Sequence, residues 1–141
     1  WPDVRLLQQS ELDPGLIPAL EIGRTHAADH NYDGFVVLFP DLPVLQSSDL
    51  TALITPAAQI VIAPDQDQSG TNALLIRRQP ADLSSFAFQF GMESFAKHIA
   101  EAHRLGLDPT IVTTAGLAFD LDTPAHFAAI QHLSATNRTG T

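Results

Sequence analysis

The chain of 141 residues contains no cysteine. Disulfide frameworks, thiolate zinc sites and cysteine nucleophiles are thereby excluded, and the absence fits a reducing compartment. Basic residues are scarce, seven Lys and Arg against 16 Asp and Glu, for a formal charge of −9. A nucleic-acid tracker carries the opposite sign, so the sequence argues against DNA or RNA as a partner. No apolar run approaches the ~18 residues of a membrane-spanning helix, and the longest, Phe35–Pro40, has the length of one strand. No signal-peptide pattern follows Trp1, which with the missing cysteines sets a cytoplasmic expectation and no membrane partner. The GxxxxGKS/T pattern of P-loop enzymes and the GxSxG of serine hydrolases are both missing. His26 and His30 have the i, i+4 spacing of two zinc ligands, but no HExxH surrounds them and they read as a surface pair.

What is present is a folding chain. Apolar residues make up 45% and charged residues 16%, with a mean hydropathy of +0.06, the opposite of a disordered composition. A chain this long buries about two-thirds of its unfolded surface, enough for one core. The expectation is a single domain over residues 1–133 followed by a polar, flexible tail over 134–141. Apolar runs predict a strand buried on both faces at Gly34–Phe39 and a second buried strand at Gln59–Ala63, and Asn72–Arg77 returns as a strand. Further strands are expected at Pro109–Thr114 and Leu117–Phe119. Helices are predicted over Ile17–His30, from a cap at Ser47 or Ser48 through Ile54, over Glu93–Leu105, and from a Thr123 cap with Pro124 first to about Leu133. In the third of these, Phe95, Ile99, Ala102 and Leu105 form an apolar stripe that ends at Gly106, leaving Lys97 and His98 on the exposed side. Such alternation predicts an α/β sandwich with a mostly parallel sheet, whose ligands lie beyond the carboxyl ends of the strands.

Three polar groups follow apolar runs. Asp41 comes directly after the first strand between Pro40 and Pro43, placed either to present its carboxylate at the sheet edge or to bond its own turn. Asp120 and Asp122 are two residues apart, so in extended chain they point to one side. Two carboxylates about 4 Å apart repel by roughly 4 kcal/mol at an effective dielectric of 20. A hard cation such as magnesium relieves that repulsion; the alternative is a helix-approach residue beside a solvated neighbour. The third group joins Gly70, Thr71 and Asn72 to Gly91 and Ser94 at the start of the best helix, either an anion site or an ordinary capped turn. Arg77 and Arg78 end a strand, either reaching phosphate or charging the strand end.

Taken in order, the segments VLFPDLP (37–43), VIAPD (61–65) running to GTNAL (70–74), FGMESFAKH (90–98) and LAFDLDTP (117–124) resemble the guanylyltransferases of coenzyme F420 biosynthesis, which act on 2-phospho-L-lactate or phosphoenolpyruvate. The resemblance runs from about Val4 to Leu133. It implies a Rossmann-like three-layer nucleotidyltransferase fold and a reaction that joins GTP to a phosphorylated three-carbon acid with release of pyrophosphate. It also implies Mg2+ held by Asp41, Asp120 and Asp122, and the acid held by Thr71, Gly91 and Ser94, with Asn72 beside them. Met92 and Glu93 stand where family members usually carry small residues, and Ile17 stands near a usual asparagine. The glycine- and lysine-containing segment that the family uses for the GTP phosphates is absent, so this chain is expected to begin after the first strands of the fold. Other readings from the same residues are a nucleotidyltransferase with a different acceptor and a truncated, non-catalytic binding domain. A homodimer is left open by the resemblance and the apolar strand edges.

Overall fold

A computed structural model describes residues 4–9, 11–78 and 83–121. The chain order is α1 (Leu16–Asp29), β1 (Gly34–Leu38), α2 (Ser47–Ile54), β2 (Ile60–Pro64), β3 (Thr71–Arg77), a 3-10 turn (Leu83–Ser85), α3 (Ser94–Arg104), β4 (Thr110–Ile111) and α4 (Ala115–Ala118). The four strands form one sheet in the order β1-β3-β2-β4. β4 runs parallel to β2, while β3 lies antiparallel to both β1 and β2. Three of the four strands therefore share one direction, as the alternating pattern predicts, with β3 inserted between β1 and β2 against them. The six-residue connection from Pro64 to Thr71 dictates that insertion. A parallel return needs a crossover of a dozen or more residues, so a short loop makes a hairpin.

β2 and the Ala73–Ile76 stretch of β3 are apolar without interruption because both of their faces are covered. Ile60 and Ile62 of β2 and Leu74 and Ile76 of β3 share one core with Phe86, Phe88 and Ala102, against which Ile17 and Leu20 of α1 and Phe95 and Ile99 of α3 pack. Val61, Ala63, Ala73 and Leu75 turn the other way and join Leu53 of α2 and Leu117 of α4. The result is a three-layer α/β/α sandwich built by the period-two alternation of two central strands.

The first predicted strand departs from expectation. β1 stops at Leu38 and is not buried on both faces: Val36 is 40% and Leu38 37% exposed. Its place at the sheet edge explains this, since α2 and α4 pack over β2 and β3 and leave that face of β1 uncovered. The strand expected at Pro109–Thr114 shortens to two residues. The one expected at Leu117–Phe119 is instead the end of α4, a single helical turn whose N-cap, Thr114, accepts a bond from the Leu117 N–H at 3.2 Å. α2 begins at Ser47 itself, with Gln46 as its N-cap and the Gln46 N–H donating to Asp49 Oδ2 at 2.7 Å. Gly106 ends α3 in the left-handed region at φ +71°, as its position predicts. The last predicted helix, with Thr123 and Pro124, and the tail over 134–141 lie outside the described residues. Among the described residues no helix is long and apolar enough to cross a membrane.

α4 approaches α2 closely, and Gly116 is what allows it. A Cβ at Gly116 would lie 2.0 Å from Asp49 Oδ2 and 3.1 Å from the Leu45 Cα. Asp49 is held by its cap bond and Leu45 Cα is backbone, so neither yields easily. Gly116→Ala is expected to lower stability by ~1–3 kcal/mol, the usual range for overpacking. The measurement is a urea unfolding midpoint, and an unchanged midpoint would show that α4 can move away without cost.

Candidate functional site

β1 and β2 end at the same edge of the sheet, and β3, running the other way, begins there. The chain leaving β1 carries Phe39 and Asp41, the chain leaving β2 carries Asp65, and β3 opens with Thr71 and Asn72. These residues surround a cleft of about 220 Å3, lined by Leu16, Phe39, Asp41, Asp65, Gly70, Thr71, Asn72, Phe90, Gly91, Ser94 and Asp120. Six of the seven site residues expected from the sequence therefore share one cavity: Asp41, Asp120, Thr71, Asn72, Gly91 and Ser94. The seventh, Asp122, lies outside the described residues.

A β-bulge arranges the floor. β3 pairs with β2 as Ala63↔Ala73 and then Pro64↔Thr71, so Asn72 is the extra residue. Without it, alternation from Ala73 and Leu74 would send Asn72 toward α3 and Thr71 toward α4. The extra residue reverses both, a recurring use of bulges near functional sites. Thr71 Oγ1 meets His98 Nδ1 of α3 at 2.9 Å. Asn72 Nδ2 donates to the carbonyl oxygens of Leu117 at 3.0 Å and Ala118 at 3.4 Å. The Asn72 carbonyl accepts from the Phe39 N–H at 3.3 Å, and the Asp41 carbonyl from the Leu121 N–H at 3.1 Å. Asn72 thus ties together the two segments that carry Asp41 and Asp120. It was expected as a substrate contact; although it lines the cleft, its carboxamide protons are engaged by the α4 turn.

The loop from β2 to β3 is stapled by Asp65. Its Oδ1 accepts from the Ser69 N–H at 2.9 Å, and its Oδ2 accepts from Ser69 Oγ at 3.0 Å and the Gly70 N–H at 2.7 Å. A Cβ on Gly70 would stand 2.7 Å from Asp65 Oδ2, so the staple needs a glycine at this position, which also lines the cleft. The Ser69 carbonyl accepts from the Phe95 N–H at 3.2 Å, fixing the loop to the first turn of α3. Gly91 enters that turn at φ +122°, a conformation that a side chain would strain. Ser94 is buried at the helix start, whereas Met92 and Glu93 are exposed and do not line the cleft. The Glu93 carboxylate therefore does not oppose an anion there.

His98 corrects the sequence reading. Lys97 is exposed as expected, donating to the Met92 carbonyl at 2.7 Å, but His98 is fully buried. The buried face of α3 is Ser94, His98, Glu101 and Ala102, one residue earlier than the apolar stripe suggests at its start. Their i, i+4, i+7, i+8 spacing was readable, but polar residues hide from a search for apolar ones. Phe90 meets the His98 ring edge-on at 4.6 Å and Phe86 stacks at 5.9 Å. Burial pushes the imidazole down from 6.5 to about 4, against the opposing pull of the Glu101 carboxylate. Glu101 is itself held below the usual carboxylate range by Arg104, which donates to it, and by the Ala87 N–H.

Other candidates resolve as structural. Arg77 donates to the carbonyls of Ile54, Pro56 and Ala58, and Arg78 donates to Asn31 Oδ1 at 2.8 Å, at the far end of the sheet from the cleft. The His26 and His30 rings, on α1 and its C-cap, meet tilted by 36° with centroids 4.0 Å apart. A larger groove of about 650 Å3 runs along α1, but its lining of Leu7, Ile17, Pro18 and Ile22 with scattered polar residues assembles no convergent set of donors. Among the described residues no group of three His, Cys, Asp or Glu is placed to hold a metal. Of the three aspartates that line the cleft, Asp65 is taken up by its own loop; Asp41 and Asp120 are a donor number that suits magnesium when substrate oxygens and waters complete its shell.

Residues 15–137 match the family described as Guanylyl transferase CofC like. The phosphoenolpyruvate guanylyltransferase of Rubrobacter xylanophilus is 38% identical over 120 residues, which cover 83% of this chain and 57% of that protein. The enzyme of the same name from Chloroflexus aggregans is 41% identical over 106 residues, 74% of this chain and 50% of the relative. The 3-phospho-D-glycerate guanylyltransferase of Phenylobacterium zucineum is 34% identical over 113 residues, 78% and 50% of the two chains. The chain spans about half the length of the curated relatives it matches. A crystal structure from Desulfovibrio desulfuricans G20, described as a nucleotide-diphospho-sugar transferase, shares the fold. Its TM-score is 0.66 at 15% identity over 90% of this chain and 63% of that one.

The buried imidazole has a measurable consequence. In the unfolded chain His98 takes up a proton near its ordinary pKa of 6.5, while in the folded protein it stays neutral down to about 4. Stability is therefore complete above pH 6.5 and falls as pH drops from 6.5 toward 4, because the unfolded state binds the extra proton. The loss is expected to reach ~3 kcal/mol. Urea midpoints recorded through that interval should decline for the wild type and flatten for His98→Asn. Parallel curves would assign the pH dependence to other groups.

Proposed function

The chain belongs to the guanylyl transferase CofC-like family, and from that premise we propose that it forms the acid-binding and metal-binding part of a cytoplasmic guanylyltransferase of coenzyme F420 biosynthesis. The enzyme joins GTP to a phosphorylated three-carbon acid, phosphoenolpyruvate or 2-phospho-L-lactate, and releases pyrophosphate. The observation that carries the reading is that Asp41, Asp120, Thr71, Gly91 and Ser94 line one cleft.

The reaction brings two anions together. An oxygen of the acceptor phosphate attacks the α-phosphorus of GTP, and the bond from that phosphorus to the pyrophosphate oxygen breaks. No protein nucleophile is needed, so the work is positioning and charge neutralisation. No Lys, Arg or His is among the lining residues, and three carboxylates are, of which Asp65 is engaged by the Ser69 and Gly70 donors of its own loop. Such a surface repels a phosphorylated acid unless a cation intervenes. Asp41 and Asp120, with Asp122 beyond the described residues, would hold Mg2+. Bound there, the ion supplies the positive charge that offsets the repulsion between acceptor and triphosphate.

The chain's own groups take the acid. Thr71 and Ser94, with their hydroxyls, and Gly91 line the cleft next to the first turn of an 11-residue helix, whose dipole favours negative charge. Phe39 and Phe90, with ring centroids 5.3 Å apart, wall the cleft with apolar surface that limits water at the reacting phosphate. Asn72 and the Asp41-to-Leu121 backbone bond fix the spacing of the acidic segments.

Pyrophosphate release from GTP and Mg2+ with phosphoenolpyruvate, 2-phospho-L-lactate or 3-phospho-D-glycerate, measured separately, tests the reading and ranks the acceptors. Asp120→Asn is expected to reduce turnover roughly a hundredfold, equivalent to about 3 kcal/mol of lost transition-state stabilisation. Release with none of the three acids, or full turnover by Asp120→Asn, would overturn it.

A further inference from the structure

The polarity of the bonds around His98 determines what Thr71 can offer the cleft. The Gln89 main-chain N–H can only donate, and it does so to His98 Nε2 at 3.0 Å. Nε2 therefore carries a lone pair, and the proton of the neutral ring sits on Nδ1. Neutrality follows from the surroundings: the ring is fully buried beside Phe86 and Phe90, and the nearby carboxylate of Glu101 is engaged by Arg104 and the Ala87 N–H. Thr71 and Gln89, the other polar groups at the ring, do not titrate. Nδ1 faces Thr71 Oγ1 at 2.9 Å, so the ring donates and the hydroxyl accepts. With that side of the oxygen occupied by an incoming proton, the hydroxyl's own proton must point elsewhere, and Thr71 lines the cleft.

We propose that His98 is a positioning residue: by donating from Nδ1 it holds the Thr71 hydroxyl as a hydrogen-bond donor toward the cleft, which thereby selects an unprotonated, anionic oxygen of the ligand. This rests on the acid-binding reading above and adds to it the group that sets the hydroxyl's direction. A free threonine hydroxyl rotates between giving and receiving. One pinned by a buried donor is committed in advance, and the ordering cost of binding falls. The bulge at Asn72 is what brings Thr71 under the histidine, and the Gln89 amide is what fixes the tautomer.

Long-range proton–nitrogen NMR on 15N-histidine-labelled protein, with His98 assigned by comparison with His98→Asn, reads the tautomer directly. The expected spectrum at neutral pH has a protonated Nδ1 and a pyridine-like Nε2. Phosphoenolpyruvate titrations then test the consequence. Thr71→Val is expected to weaken binding ~10–100-fold, the range for a bond to a charged group. His98→Leu should weaken it about fivefold, through a hydroxyl free to turn, and His98→Asn, which keeps a donor near Nδ1, should recover most of the loss. In a Thr71→Val background His98→Leu should add nothing, whereas a purely structural histidine would add its full effect. An Nε2–H tautomer, an imidazolium or additive losses would overturn the proposal, and the wild-type spectrum decides even if His98→Leu does not fold. The two readings fail separately. Phosphoenolpyruvate binding with the wrong tautomer removes the His98 assignment alone. The expected tautomer without phosphoenolpyruvate binding removes the acid substrate and leaves the bond polarity in place.

Discussion

One extra residue in one strand sets the geometry on which the site depends. Ordinary alternation along β3 would turn Thr71 toward α4 and Asn72 toward α3; the bulge exchanges them. The exchange gives Thr71 to a buried histidine and Asn72 to the carbonyls of the α4 turn. The local loss of one strand pairing is repaid in position. Asn72 is held from three sides, by its strand, by Phe39 and by α4, and carries the acidic segments with it. The staple at Asp65 and the cap that Ser69 provides for Phe95 then bring the start of α3 against the same edge.

The cleft combines two kinds of residue. Carboxylates come to it from segments far apart in sequence, and Thr71, Ser94, the Gly91 turn and a helix start bring groups without charge. Under the guanylyltransferase proposal the combination has a simple logic: the carboxylates concentrate a cation and the other groups hold the acid through donors that bear no charge of their own. A lysine or arginine would neutralise an anion more simply but would also pair with Asp41 or Asp120 and compete with the ion. On that proposal the net charge of −9 is compatible with anionic ligands, because attraction would depend on a cation held in the cleft and not on the whole surface.

Much of this was legible in the sequence. β2 could be placed because an uninterrupted apolar run has few uses other than a strand covered on both sides, and β3 because an apolar segment returns directly after the polar loop at 65–70. α3 could be placed because its period and Gly106 agree. Asp41, Thr71, Gly91 and Ser94 could be named because they follow apolar runs or open the best helix, where an α/β sheet puts its ligands. What escaped depends on partners distant in sequence. The bulge exists only relative to β2. The edge position of β1 is a property of the whole sheet. Four residues at Ala115–Ala118 are too few for periodicity to separate a turn of helix from a strand. His98 escaped for a different reason, because its burial is justified by two hydrogen bonds and two aromatic neighbours that no pattern along the helix reveals.

The reach of the Asn72 carboxamide also bears on when the site comes into being. Its bonds to Leu117 and Ala118 span 45 and 46 positions, among the most distant side-chain contacts described. β1, β2 and β3 can pair as soon as Arg77 has emerged from the ribosome, yet the acidic pair is completed only after α3, β4 and α4 have been made and docked. A nascent or partly unfolded chain would hold Asp41 at a formed sheet edge with no counterpart across from it. Under the proposed metal role, cation capture would be coupled to the final closing step of folding, and an ion arriving early would find only half a grip.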